Sequence, residues 1–237
     1  PGRFSRRNRL TVQEIDRLLA RLPACEGPVP ENERREFGEH YRELAARQKA
    51  PSEPLAVPRR TPPPGAGREE VFLLGSAGQR ILTAGEILCL AGMSAGLHVT
   101  QKNDYDITVL RGPSISEMIL SPEPIDYTGI TRPTVVVALG PEGVARRKAL
   151  WPGLDEECLV LQAEGVEIPP TRARRVALAL KSQGFSRADW ALAALGALAK
   201  SGWVIGEEML RAALEARLAG AALEAAREVV GRVEAAR

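Results

Sequence analysis

The chain has 237 residues, 44% of them apolar and 26% charged, enough for one sizeable core plus additional segments but short for two full domains. A net charge of +2 and only 4% aromatic residues give no electrostatic footprint or stacking platform for nucleic acid, and none for an anionic membrane surface. No run of 18 or more apolar residues occurs, and the basic start Pro1–Arg7 has no apolar stretch behind it, so neither a spanning helix nor a signal peptide is expected.

In chain order, residues 1–50 read as a helical N-terminal arm. Leu10 to Leu22 forms one helical stretch, with Thr11 as N-cap, Glu14 as its capping-box partner, and Val12, Ile15, Leu18, Leu19 and Leu22 on one face. Glu31 to Gln48 is a second, highly charged stretch with a thin stripe of Phe37, Tyr41, Leu44 and Ala45. Residues 51–70 form a linker, because prolines at 51, 54, 58, 62, 63 and 64 bar regular helix and inner strand. The stripes are too thin to fold alone, so the arm needs a surface to lie on.

Residues 71–237 read as an α/β domain with a doubly wound, mostly parallel sheet and a helical C-terminal region. Val71-Phe72-Leu73-Leu74 is a short strand ending at Gly75, and Ile81 to Gly96 has helical periodicity through Ile81, Ala84, Ile87, Leu88, Ala91 and Ala95. His98-Val99-Thr100 starts a second strand. Ser114 to Leu120, the valine-rich run Thr134 to Leu139, and Leu159 to Gln162 are further strands, the valine run being typical of a buried parallel strand. Such alternation implies a parallel sheet with helices on its faces. From Ala188 the pattern is helical: Ala188 to Ser201, a helix opening at Val204–Glu208 and running through Leu218, and Ala221 to Ala236.

The turn Gly75-Ser76-Ala77-Gly78-Gln79-Arg80 joins a strand to a helix, a context that suits phosphate, since glycines let the backbone approach and the helix start offers free N–H groups. Ala77 and Arg80 stand where a strict G-x-G-x-x-G needs glycine. A dinucleotide site would want an acidic residue at the end of the second strand. That strand runs into Lys102, which suits a phosphate better than a ribose, and Asp104 falls in the loop beyond it. No Walker lysine, G-x-S-x-G or H-E-x-x-H pattern occurs. His40 and His98 lie far apart, and Glu156 and Glu157 read as solvated. Cys25, Cys89 and Cys158 are too far apart for a disulfide framework, zinc knuckle or iron–sulfur ligand set, which points to a reducing, cytoplasmic setting with no catalytic or metal residues of the chain's own.

The stretch Leu73–Gly85 resembles the opening strand, turn and helix of the gamma subunits of 2-oxoacid:ferredoxin oxidoreductases. Gly96-Leu97-His98-Val99-Thr100-Gln101, Gly112–Glu117, Ser121–Tyr127 and Ile130–Leu139 match that family in order and spacing, and Trp190–Leu198 resembles its closing helices. The resemblance covers roughly residues 71–220. It implies a non-catalytic subunit of a complex that oxidatively decarboxylates a 2-oxoacid to an acyl-CoA. Its partners would be an alpha subunit, a beta subunit holding thiamine diphosphate and Mg, and a ferredoxin-like subunit with 4Fe-4S iron–sulfur clusters. It also implies that this chain helps position coenzyme A as substrate, with Gly75, Ser76, Ala77, Gly78, Gln79, Arg80, Lys102 and Arg111 as candidate contacts. Two departures mark a divergent branch with a different substrate or acceptor. The turn has lost two glycines, and the family's Tyr-Gly-x-Glu-x-Arg-Gly-Gly loop reads Tyr105-Asp106-Ile107-Thr108-Val109-Leu110-Arg111-Gly112, without its glutamate and with its arginine displaced by one. Arg35–Arg42 faintly resembles the closing segment of the thiamine-binding subunit. The alternatives are a stand-alone nucleotide-binding protein and a purely structural assembly subunit.

The arm is expected to clamp a partner subunit, with a mobile tail as the alternative. Deleting residues 1–65 should leave a soluble, cooperatively unfolding domain that no longer co-purifies with partner subunits, whereas unchanged assembly of the truncated chain would reject the clamp and favour the mobile tail.

Overall fold

The computed structural model describes residues 57, 62–65, 67–106 and 111–236. By its contacts the chain divides into Pro1–Pro54 and Leu55–Arg237. The two helices expected in the arm, most of the linker and the loop residues 107–110 lie outside the described residues.

Among the described residues, six strands form one mixed sheet in the order β2-β3-β1-β4-β5-β6. They are β1 (Glu69–Ser76), β2 (His98–Tyr105), β3 (Pro113–Ser121), β4 (Val135–Ala138), β5 (Leu159–Ala163) and β6 (Arg174–Leu178). β1, β4, β5 and β6 run parallel, whereas β3 is antiparallel to both β1 and β2. The valine run is buried at every residue of β4, as a strand flanked on both sides and covered on both faces must be. The sheet accompanies five helices: α1 (Ile81–Ser94), α2 (Pro141–Arg146), α3 (Trp190–Ser201), α4 (Glu207–Arg217) and α5 (Gly220–Arg232).

Three of these elements escape the sequence pattern. β6 carries Arg174 and Arg175 and is mostly exposed, as an edge strand can be. α2 has six residues and the 3-10 turn Trp151–Gly153 three, too short to show a period. β2 reaches Tyr105, so Asp104 lies in the strand rather than in the loop. α1 stops at Ser94 because Gly96 takes φ +80°, with Gly96 N–H bonded to Met93 O at 2.9 Å and Leu97 N–H to Gly92 O at 3.1 Å, a Schellman cap.

α1 and α2 lie on opposite faces of the sheet. Gln101 and Ser116 turn towards α1, where Gln101 Nε2 donates to Leu82 O at 3.0 Å, whereas the next residues, Lys102 and Glu117, face α2 and Arg147. α4 packs on α1, and α3 joins it to α5, so the C-terminal helices continue the α1 layer. Two glycines let α1 settle onto the β2–β3 hairpin: a Cβ at Gly85 would come within 2.2 Å of Ser116 Oγ, and one at Gly92 within 2.8 Å of Leu120 Cδ2. At the far end of the sheet the buried Glu70 carboxylate accepts Thr131 N–H at 2.7 Å, Arg132 N–H at 2.8 Å and Arg68 Nε at 2.8 Å, which ties the long β3–β4 connection to β1.

One close approach is backbone against backbone. A Cβ at Gly143 would lie 2.5 Å from Gly75 N and 2.7 Å from Gly75 O. Gly143→Ala is therefore expected to destabilise the domain by more than about 2 kcal/mol, because neither helix nor strand can give locally. Gly153→Ala, whose Cβ meets nothing within 4 Å, serves as the control and should change stability by less than about 0.5 kcal/mol. Chemical denaturation of the two variants checks this.

Candidate functional site

The parallel strands β1 and β4 end side by side, and the chain leaves them towards opposite faces, through α1 and through α2. In open α/β sheets that divergence opens a crevice beyond the strand ends, where ligands bind. The turn Gly75–Arg80 and the segment Leu139–Gly143 form its two lips.

Most of the turn's polar groups are spent on the fold. Gln79 is buried; its Oε1 accepts Ser76 N–H at 2.7 Å and its Nε2 donates to Leu139 O at 2.9 Å, so one amide stitches the end of β1 to the end of β4. The Ser76 hydroxyl donates to the Glu142 carboxylate in the first turn of α2. Ala77 N–H donates to Gly112 O at 3.0 Å, and Gln79 N–H returns to Ser76 O at 3.2 Å. Gly75 is covered by Ile81 and by α2. The N–H groups of Gly78, Arg80, Ile81, Leu82 and Thr83 have no acceptor among the described residues, as expected at the start of a helix. These are the donors that the partial positive charge of α1 leaves for an anion.

Arg80 occupies the N-cap position of α1 with φ +53° and ψ +32°, a left-handed conformation that suits glycine. Its side chain is 68% exposed, and its guanidinium lies 3.6 Å from Asp189, the residue before α3. Arg111 is exposed and precedes Gly112, whose carbonyl holds Ala77, so Arg111 stands beside the turn. Lys102 does not join them. It lies on the α2 face, 4.0 Å from Glu117, at the level of Phe72 rather than Gly75, about 10 Å along the sheet from the turn.

Lys102 belongs instead to an ionic network that the sequence pattern did not reveal. Arg147 bonds Asp104 at 2.9 Å and Glu117 at 2.6 Å, and Arg146 bonds Asp104 at 3.3 Å. Burial pushes the Asp104 carboxyl up, but its bonds to Arg146 and Arg147 outweigh that and hold it below the ordinary aspartate range. Glu142, Gly140 and Gly143 also went unread. The signal was available: Gly140-Pro141-Glu142-Gly143 follows a valine strand as Gly75–Arg80 follows β1, with proline in the first turn of the helix.

The described residues offer poor ligands for a metal or cluster. They contain no group of three His, Cys, Asp or Glu placed to hold an ion. Cys89 and Cys158 are both buried, and burial with a nearby carboxylate pushes each thiol up to about 12, so both stay protonated at neutral pH. Nor is any helix among the described residues long and apolar enough to cross a membrane.

A family model described as pyruvate ferredoxin/flavodoxin oxidoreductase matches residues 70–235. The 2-oxoglutarate synthase subunit KorC of Methanocaldococcus jannaschii is 34% identical over 85 residues, 34% of this chain and 44% of the relative. KorC of Methanothermobacter marburgensis is 33% identical over 73 residues, 30% of this chain and 39% of the relative. The matched stretch thus spans less than half of each of these relatives. The gamma subunit of keto/oxoacid ferredoxin oxidoreductase from Geobacter sulfurreducens superposes with a TM-score of 0.58 at 27% identity, covering 70% of this chain and 94% of that one. Two further structures share the fold at 19% identity. The 2-oxoglutarate:ferredoxin oxidoreductase of Magnetococcus marinus, solved with 2-oxoglutarate, coenzyme A and succinyl-CoA bound, gives a TM-score of 0.59 over 71% of this chain and 30% of that one. Pyruvate oxidoreductase subunit PORC of Thermotoga maritima gives 0.53 over 70% and 94%.

Two substitutions separate the roles within the turn. Gln79→Leu strips a buried N–H and a buried carbonyl of their partners and is expected to destabilise by about 2–5 kcal/mol. Arg80→Gly relieves the left-handed strain and should raise stability by about 0.5–1 kcal/mol, if the exposed pair with Asp189 contributes little. Urea unfolding of both variants reads the difference, and a loss in Arg80→Gly as large as in Gln79→Leu would make the Asp189 pair structural.

Proposed function

The chain belongs to the pyruvate ferredoxin/flavodoxin oxidoreductase family, and from that membership we propose that it is the gamma-type, non-catalytic subunit of a multi-subunit 2-oxoacid:acceptor oxidoreductase. The complex oxidises and decarboxylates a 2-oxoacid to an acyl-CoA, and this subunit helps assemble it and position coenzyme A. The match over residues 70–235 carries the reading. It is supported by the free N–H groups at the start of α1, with Arg80 and Arg111 beside them. Thiamine diphosphate, with its Mg, and the iron–sulfur clusters belong in this reading to the beta and ferredoxin-like subunits; the described residues here hold no ligand set that fits them.

Arg80 takes the role that lost glycines leave open. A glycine-rich turn meets phosphate with backbone donors alone, whereas a guanidinium meets it with two parallel N–H bonds on one flexible arm. The long contact to Asp189 leaves donors of Arg80 for a ligand. Lys102 is dropped from the acceptor site, since its side chain faces the opposite layer.

The assembly-only reading has its own support. Ser76, Ala77 and Gln79 give their polar groups to the chain itself, and the Glu142 carboxylate sits between the lips of the crevice, where it repels an anion. One measurement distinguishes the two. In the assembled complex, Arg80→Ala should raise the KM for coenzyme A roughly 10- to 150-fold, the worth of a charge-assisted bond of about 1.5–3 kcal/mol. The apparent affinity for the 2-oxoacid should stay nearly constant, because that substrate reacts on another subunit. Lower stability with unchanged acceptor kinetics, or equal effects on both substrates, would favour the assembly role.

A further inference from the structure

Among the described residues the sheet ends at β2 on one side and at β6 on the other, and the two edges are guarded unequally. β6 has five residues, and its only charges are the adjacent arginines Arg174 and Arg175, so no register of β6 against itself brings opposite charges together. β2 pairs with β3 over eight consecutive residues without a bulge and contains no proline. A long, flat edge of this kind accepts a further strand.

The free backbone groups of β2 follow from the pairing of β3. Ala77 N–H donates to Gly112 O at 3.0 Å, one step past the Ser76–Pro113 pair, so the even-numbered residues of β3 bond to β1. The odd-numbered Ile115, Glu117 and Ile119 therefore bond to β2, through Asp104, Lys102 and Thr100. Val99, Gln101, Asn103 and Tyr105 are left pointing their N–H and C=O groups outward.

The side chains of the edge alternate in sign. Lys102 and Asp104 share the α2 face. The Lys102 side chain is 66% exposed, and its contact with Glu117 is long at 4.0 Å, so the ammonium can turn outward. Arg146 and Arg147 together donate three bonds to the Asp104 carboxylate, which accepts about four. On the α1 face, Tyr105 leaves its ring 57% exposed beside Asn103 and Gln101.

We propose that β2 pairs antiparallel with β2 of a second copy of this chain, across a two-fold axis at Asn103. Outward residues can meet only outward residues, which limits the axis to whole-residue positions. An axis at Lys102 or at Asp104 sets like charges opposite each other, and one at Gln101 leaves Lys102 opposite Thr100. The axis at Asn103 sets Lys102 of each copy against Asp104 of the other, Gln101 against Tyr105, and the two Asn103 amides against each other. A uniformly acidic strand would satisfy Lys102 but place a carboxylate against Asp104, whereas a second copy answers both signs.

Sedimentation of the purified full chain across a range of concentrations provides the test, with Lys102→Glu as the breaking variant and Arg175→Glu on the opposite edge as the control. The wild type should dimerise reversibly. Lys102→Glu should raise the dimer Kd at least tenfold and Arg175→Glu should leave it unchanged, with the same Tm in both. Asn103→Cys, on the axis, should form a disulfide-linked dimer in oxidised glutathione, while Gln101→Cys and the wild type should not. A chain that stays monomeric at every concentration would overturn the proposal. So would a dimer that Lys102→Glu leaves intact, or linkage through Gln101→Cys instead of Asn103→Cys. If Asn103→Cys links only to another subunit in the assembled complex, the edge belongs to that subunit and the second copy is overturned.

Discussion

Gly143 brings the first turn of α2 into backbone contact with Gly75 at the end of β1, and the rest of the crevice is arranged around that contact. No side chain fits between the two, so α2 is fixed in height and angle over the sheet. Gly140 then lies so close to Ser76 that a Cβ there would come within 2.7 Å of its backbone nitrogen. Such proximity lets one buried amide, Gln79, span both strand ends. An interior that transmits strain as densely packed proteins do cannot loosen this corner without moving both helices.

The same constraint governs the outer hairpin. With α2 fixed, Arg146 and Arg147 at its C-terminal end are delivered over β2 and β3, where they meet Asp104 and Glu117. Glu117 is almost fully buried, and a buried carboxylate is tolerable only when a cation and hydrogen bonds compensate its lost hydration. Arg147 supplies both. On the other face, Gln101, Asn103 and Ser116 form a neutral hydrogen-bonded chain under the glycines of α1. An edge hairpin held by ions on one face and amides on the other is fixed in register, since a shift of one residue would exchange the two sets.

What could be read from the sequence follows from burial. β1, β4 and β5 stood out because each holds an unbroken apolar run, as strands covered on both faces do, β3 because Ile115 and Met118-Ile119-Leu120 outweigh its polar residues, and α1 because its pattern repeats over fourteen residues. β6 did not, because an edge strand is free to carry Arg174 and Arg175, and Arg174 stabilises itself by lying 4.4 Å over Trp203, a contact with no local signal. The position of the turn was legible from its glycines; the use of its atoms was not. Gln79 looked like a donor for a ligand, but its partners lie at Ser76 and at Leu139, sixty residues on. Lys102 looked close because the second strand was expected to end there, and the antiparallel pairing of β2 sends its side chain to the face opposite α1. Face and register are properties of pairing, which periodicity within one segment does not contain.

The chemistry of the corner then follows from what the fold has already consumed. Side-chain and backbone groups on the α2 side of the turn are bonded inward, and Glu142 adds negative charge there, while the α1 side keeps its N–H groups and the Arg80 guanidinium outward. The crevice is therefore polarised. Closed and anionic towards α2, it is open towards the start of α1, where the N–H groups and the Arg80 guanidinium lie. Arg80 holds a backbone conformation that glycine would adopt without strain, and what the arginine adds is a guanidinium beside the turn. The two buried thiols, pushed up to about 12, are withdrawn from chemistry by the same core that positions the turn.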